Sequence, residues 1–207
     1  MGIGGVVKNI GMGCGSRAGK MEMHSDGKPE LDQEKCVGCG LCRRVCAQNA
    51  LNLVNGKMTI NHNLCVGCGR CLSCCPHDAL EPNWLQSDMI LDRKTAEYAY
   101  AVVNGRPHFH VSILCDITPN CDCHGENDAP MLPDIGMLAG FDPVALDAAA
   151  CDLCNRAPRL PNTWLDDCPE TKDVFHDAHT NTHWREAILH AVKIGLGSDQ
   201  YEFIRMK

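Results

Sequence analysis

Between residues 36 and 75 the chain writes one cysteine spacing twice. Cys36, Cys39, Cys42 and Cys46 form C-x2-C-x2-C-x3-C, and Cys65, Cys68, Cys71 and Cys75 repeat it 29 residues further on. Three thiols two residues apart require a tightly curved loop. Gly38, Gly40, Gly67 and Gly69 stand between them, where a missing Cβ permits positive φ and lets backbone amides turn inward. A helical turn then carries the fourth cysteine away from its own loop. Any fold must accommodate these two equivalent loops before it arranges anything else.

Two other uses of cysteine compete with a cluster. Sixteen cysteines could form a disulfide framework, but such scaffolds are mostly short secreted chains, and no signal peptide opens this sequence. Structural zinc sites use paired C-x2-C knuckles separated by longer loops, rather than three cysteines and then a fourth. The spacing instead predicts two [4Fe–4S] centres. In two-cluster ferredoxins the fourth cysteine of each run ligates the other cluster. Cys36, Cys39, Cys42 and Cys75 are therefore expected to hold one centre, and Cys65, Cys68, Cys71 and Cys46 the second. Pro76 follows Cys75 as the motif asks, whereas Ala47 follows Cys46. Cys74 lacks the x3 spacing and reads as a small buried hydrophobe. Between the halves, Leu51–Val54 and Met58–Ile60 flank Asn55-Gly56, a two-residue hairpin signal. Each half becomes a cysteine loop, a short helix and a strand, and residues 30–83 resemble the bacterial two-cluster ferredoxin.

The 207 residues suffice for one or two domains. No run approaches the roughly 18 apolar residues that span a bilayer, so no membrane span is expected. The many thiols in metal-binding array predict a reducing, cytoplasmic setting. A net charge of −7 disfavours nucleic acid, which is bound mainly by basic surfaces, and suits docking to basic patches on a redox partner protein.

Outside the cysteine block the signals are sparser. Eight glycines in residues 1–29 leave little room for a stable helix, so a strand or turn is expected near Val6 and Val7, followed by a glycine-rich loop. Gly11-x-Gly13-x-Gly15 has the wrong spacing for a dinucleotide fingerprint. Cys14, flanked by glycines, and His24 are notable there. Ser87–Val103 reads as a helix closed by Asn104-Gly105. His108–Leu114 alternates as a strand, with Phe109, Val111 and Ile113 on one face and His108, His110 and Ser112 on a second, solvent-facing one. Cys115, Cys121, Cys123 and His124 then crowd one loop, where thiolates and imidazole would suit zinc or iron. Asp142 and Pro143 start a helix as N-cap and first residue. Along it Asp147, Cys151 and Cys154 share a face, and a buried Asp147 needs a hydrogen-bonding or cationic partner. Cys151, Cys154 and Cys168 could seed a further metal site, though packing is the simpler reading. Prolines at 158, 161 and 169 mark a connector. A final helix is expected over Thr182–Ile194, its core side formed by Ile188, Ala191 and Val192, with His183, Ala187 and His190 on another face.

The strings KNIGMGCGSRAGKMEMHS, AEYAY, DITPNCDC, PDIGMLAGFDPVALDAAACDL and KIGLGSDQYEF resemble a family of bacterial and archaeal iron–sulfur proteins known as a domain of unknown function with an embedded ferredoxin. The chain is similar to the C-terminal part of that family. The resemblance implies an α+β protein: a two-cluster ferredoxin-type module, residues 30–83, inserted into a small α/β host domain made of residues 1–29 and 84–207. Electron transfer through two [4Fe–4S] clusters to a host-domain site or a partner is the expected function. A redox or metal-dependent enzyme with a site near Cys14, Cys121, Cys123 and His124, holding an additional zinc or iron, is an alternative. Clusters that only brace an interaction surface are another.

Overall fold

The computed structural model describes residues 4–25, 28–82, 88–121, 125 and 127–206. It is an α+β protein whose strands pair as three separate two-stranded antiparallel sheets. The chain divides into two compact units, residues 15–87 and residues 1–14 with 88–207.

The discontinuous unit begins with α1 (Val6–Lys8), which runs on into a π-helical turn over Asn9–Gly13. The expected strand or turn and glycine loop is thus replaced by helix. The reason lies far away in sequence: the Asp147 carboxylate accepts hydrogen bonds from Val6 N at 2.5 Å and Val7 N at 2.9 Å. That tertiary cap satisfies the orphan donors of a helix whose own residues offer no side-chain cap.

The continuous unit, residues 15–87, opens on α2 (Arg17–Ser25), a second helix in the glycine-rich segment. Ser16 Oγ accepts from Gly19 N at 3.2 Å as an N-cap. Met21 and Met23 are buried, so packing outweighs the weak local propensity. Next come β1 (Pro29–Leu31), α3 (Leu41–Val45), β2 (Leu51–Val54), β3 (Lys57–Ile60), α4 (Arg70–Cys74) and β4 (Leu80–Pro82). β2 and β3 form the hairpin expected around Asn55-Gly56, with Leu51 opposite Ile60. β1 and β4 close the unit end to end, with Leu31 opposite Leu80.

In the discontinuous unit the chain resumes with α5 (Asp88–Val103), β5 (His110–Leu114), β6 (Gly136–Gly140), α6 (Pro143–Arg156), α7 (Val174–Ala178) and α8 (Arg185–Lys193). Ser87 lies outside the described residues. Asp142 caps α6 by accepting from Val144 N at 2.8 Å and Ala145 N at 3.0 Å. Its other oxygen accepts from Ser198 N at 2.8 Å, which ties down the segment after α8. The core gathers Val7, Ala96, Ala99, Val103, Val144, Cys151, Trp184, Ile188, Ala191 and Leu196. Between α6 and α7 only a short 3₁₀ turn, Trp164–Asp167, interrupts the connector.

Two faces differ from expectation. In β5 the apolar face is the exposed one, with Val111 54% and Ile113 64% accessible, as is Phe109 just before the strand at 57%. Register explains it: Ser112 pairs with Leu138, and Leu138 packs with Leu146, Ala149 and Ala150 of α6. Burying Leu138 turns the face with His110 and Ser112 inward. In α8, which starts later than predicted, Ala187 joins Ile188 and Ala191 in the core while Val192 is exposed.

Burial pushes the Asp147 carboxyl from 3.8 up to about 6, opposed by its two backbone donors. Between those values the folded protein retains a proton that the unfolded chain releases. Its stabilisation is therefore complete below about pH 4 and lost as pH rises through about 6. Relative to Asp147→Asn, the native chain should lose about 3 kcal/mol between pH 4 and 7 in urea unfolding. Parallel pH profiles for the two proteins would contradict this.

Candidate functional site

The two cysteine loops adopt the same backbone conformation. Gly38 and Gly67 both have φ of 69°, and Gly40 and Gly69 have φ of 73° and 70°. Each loop leads into a five-residue helix, α3 or α4, that ends at Cys46 or Cys75 in extended conformation. The entries match too: Cys36 N donates to Asp32 O and Cys65 N to Asn61 O, both at 3.1 Å. So do the exits, where Ala50 N donates to Cys46 Sγ and Ala79 N to Cys75 Sγ at 3.4 Å.

Because α3 and α4 lie side by side, each loop's fourth cysteine is delivered to the other loop. One space of about 300 Å³, open in part to solvent, is lined by Cys36, Cys39, Cys42 and Cys75 with Leu31, Met58 and Leu80. A second, of about 400 Å³, is lined by Cys46, Cys65, Cys68 and Cys71 with Leu51, Ile60 and Val66. Cys74 lines neither; its thiol donates to Cys71 O at 3.3 Å. No carboxylate enters either lining. Burial, reinforced by Cys65 and Cys68, pushes the Cys71 thiol up to about 12, and burial likewise raises Cys42. Thiolates crowded this way oppose one another's ionisation until a cationic group relieves them.

Close packing fixes the loops. A Cβ on Gly38 would collide with Gly56 O in the β2–β3 turn, and one on Gly69 with Met21 Sδ of α2, whereas Gly40 faces open space. Lys57 Nζ donates to Gln33 O at 3.0 Å and also to Cys36 O, holding the first loop against the hairpin. This lysine gave no sequence signal, because its partners are carbonyls rather than acids.

Among the described residues, the remaining candidates form no common site. Cys14 is exposed at the end of the π-helical turn. Cys121 Sγ accepts from Lys8 Nζ at 2.8 Å, a pairing the sequence did not announce. Cys123 and His124 lie outside the described residues. His24 lies on α2, Cys115 is exposed, and His108 Nδ1 stands 2.9 Å from His110 Nε2. Cys151 and Cys154 are buried in two different hydrophobic clusters, and Cys168 packs against the cluster that holds Cys154 and donates to Trp164 O at 3.2 Å. These three are packing residues. Among the described residues, no group of three or more His, Cys, Asp or Glu converges closely enough to hold a single metal ion. None of the described helices is long and apolar enough to cross a membrane.

Fold and site together define an α+β protein organised around a duplicated four-cysteine block. The chain belongs to the family described as domain of unknown function (DUF362), whose sequence model matches residues 1–152. A comparison with curated proteins finds no match.

The loop contacts give a paired test. Gly38→Ala suffers both positive φ and collision with a backbone carbonyl, about 3 kcal/mol in anaerobic urea unfolding, against about 1 kcal/mol for Gly40→Ala at similar φ in open space. Equal losses would contradict the buttressing of the first loop by the hairpin.

Proposed function

We propose that this protein is an iron–sulfur electron-transfer protein or electron-input module, its residues 30–83 forming the two-cluster ferredoxin-type part of the compact unit 15–87. One observation carries the reading: each space is bounded by three cysteines of one loop and the fourth cysteine of the other. A cubane presents four separate iron corners, so its thiolates stand around it rather than converge on a point. Each space offers four cysteine sulfurs, the soft donors that iron–sulfur clusters require, and His77 also lines the first. Each bound [4Fe–4S] cluster would accept and release single electrons. Cys36, Cys39, Cys42 and Cys75 would hold one, and Cys65, Cys68, Cys71 and Cys46 the other. The apolar linings restrict water around the sulfurs, and the N–H donors of Ala50 and Ala79 steady the crossing thiolates Cys46 and Cys75. Such hydrogen bonds and exposure set cluster potential.

The Lys8–Cys121 pair favours a second reading, in which the host domain is a redox or metal-dependent enzyme whose site includes this cysteine. A neighbouring ammonium stabilises a thiolate, the reactive form in redox and nucleophilic chemistry.

Anaerobically reconstituted protein should bind about eight irons and show an EPR signal on dithionite reduction. Protein that takes up no iron, or only single zinc ions, would end the proposal. The same redox titration on Cys121→Ser separates the two readings: an unchanged electron count leaves the cysteine out of the path, and loss of a redox step places it within.

A further inference from the structure

Resting on the iron–sulfur reading, we propose that the α2 surface beside the Cys65–Cys71 loop is the docking face for an acidic electron-carrier protein. Arg17, Lys20 and His24 fall at i, i+3 and i+7 of α2 and so share one face; Glu22 lies off it. They line an open cleft of about 570 Å³ with Met21 and Pro82. This cleft adjoins the second four-cysteine space directly. The Arg17 stem lies 3.3 Å from where a Gly69 Cβ would stand, Arg17 Nη1 donates to Ser73 Oγ at 2.9 Å, and Gly69 and Arg70 line the cysteine space itself. Val66 in that loop is 64% exposed, and Arg70 is exposed as well. An apolar centre with a charged rim is the usual anatomy of a transient interface.

The charge distribution selects the partner's sign. Residues 15–87 contain eight Lys and Arg against seven Asp and Glu, while residues 1–14 and 88–207 contain eleven against nineteen. The acidity that suggested a basic partner therefore resides outside the cysteine unit. An acidic carrier is repelled by the rest of the chain and drawn to the one unit that is not net negative, at a cationic cleft next to a cluster. In the transfer itself one electron leaves the reduced carrier and enters one cluster, with no proton or group moving.

The test uses anaerobic holoprotein with its iron content verified, so absence of clusters is seen separately and defeats the underlying reading rather than the choice of docking face. Reduced flavodoxin, a strongly acidic one-electron carrier, serves as probe in stopped-flow mixing. The second-order rate should fall as ionic strength rises, and by about ten-fold at low salt in Arg17→Glu/Lys20→Glu. Reduction by a neutral photoexcited deazaflavin should be unchanged in that variant. Arg43→Glu/Arg44→Glu, the same charge change on α3, should lower the flavodoxin rate less than two-fold. An unaffected rate in the α2 variant, or equal losses in both variants, would overturn the proposal. Saturable inhibition by pyrophosphate at constant ionic strength, with no salt dependence of the flavodoxin rate, would mark the cleft as a small-anion site and overturn it too.

Discussion

Each half of the cysteine block gives its fourth thiol to the other. Cys46 leaves the first loop on α3 to complete the space of Cys65, Cys68 and Cys71, and Cys75 returns the exchange on α4. Neither half can close its own space, so the two helices must lie side by side and the β1–β4 and β2–β3 pairs must flank them in fixed register. Three further contacts of the unit bear on this exchange. Met58 and Leu80 fill the floor under the first space, Lys57 ties the hairpin to Cys36, and Met21 covers Gly69.

The discontinuous unit is organised by a different device, a buried acid used as a cap. Asp147 projects from α6 into the core and takes the first two amides of α1. Without the carboxylate those donors would be buried unpaired, which costs about 1–3 kcal/mol each. Cys151, one turn further along α6, is fully packed beneath, and burial holds its thiol well above the ordinary range. That thiol is inert filling, in contrast to Cys121 with its lysine.

What the sequence made legible was what local chemistry determines. The doubled spacing, read with the ligation pattern of two-cluster ferredoxins, pairs the same cysteines that line each space; Asn55-Gly56 marks the hairpin, and Asp142-Pro143 marks the start of α6. What it hid was set by partners distant in the chain. The helices at residues 6–13 and 17–25 run against their glycine content because Asp147 caps one and buried methionines hold the other. The outward face of β5 was decided by Leu138 on the paired strand, not by the alternation within β5 itself. The balance of charge between the units was also concealed, because a total of −7 says nothing of where the acids lie.

The exchange of fourth cysteines is tested most directly by iron content in two double variants. Cys36→Ala/Cys75→Ala removes two thiols from one space and should leave the other intact, with about four irons bound. Cys36→Ala/Cys46→Ala takes one thiol from each space and should leave clearly fewer than four, with both EPR signals perturbed. The reverse order, with the second variant keeping one full cluster and the first damaging both, would contradict the account.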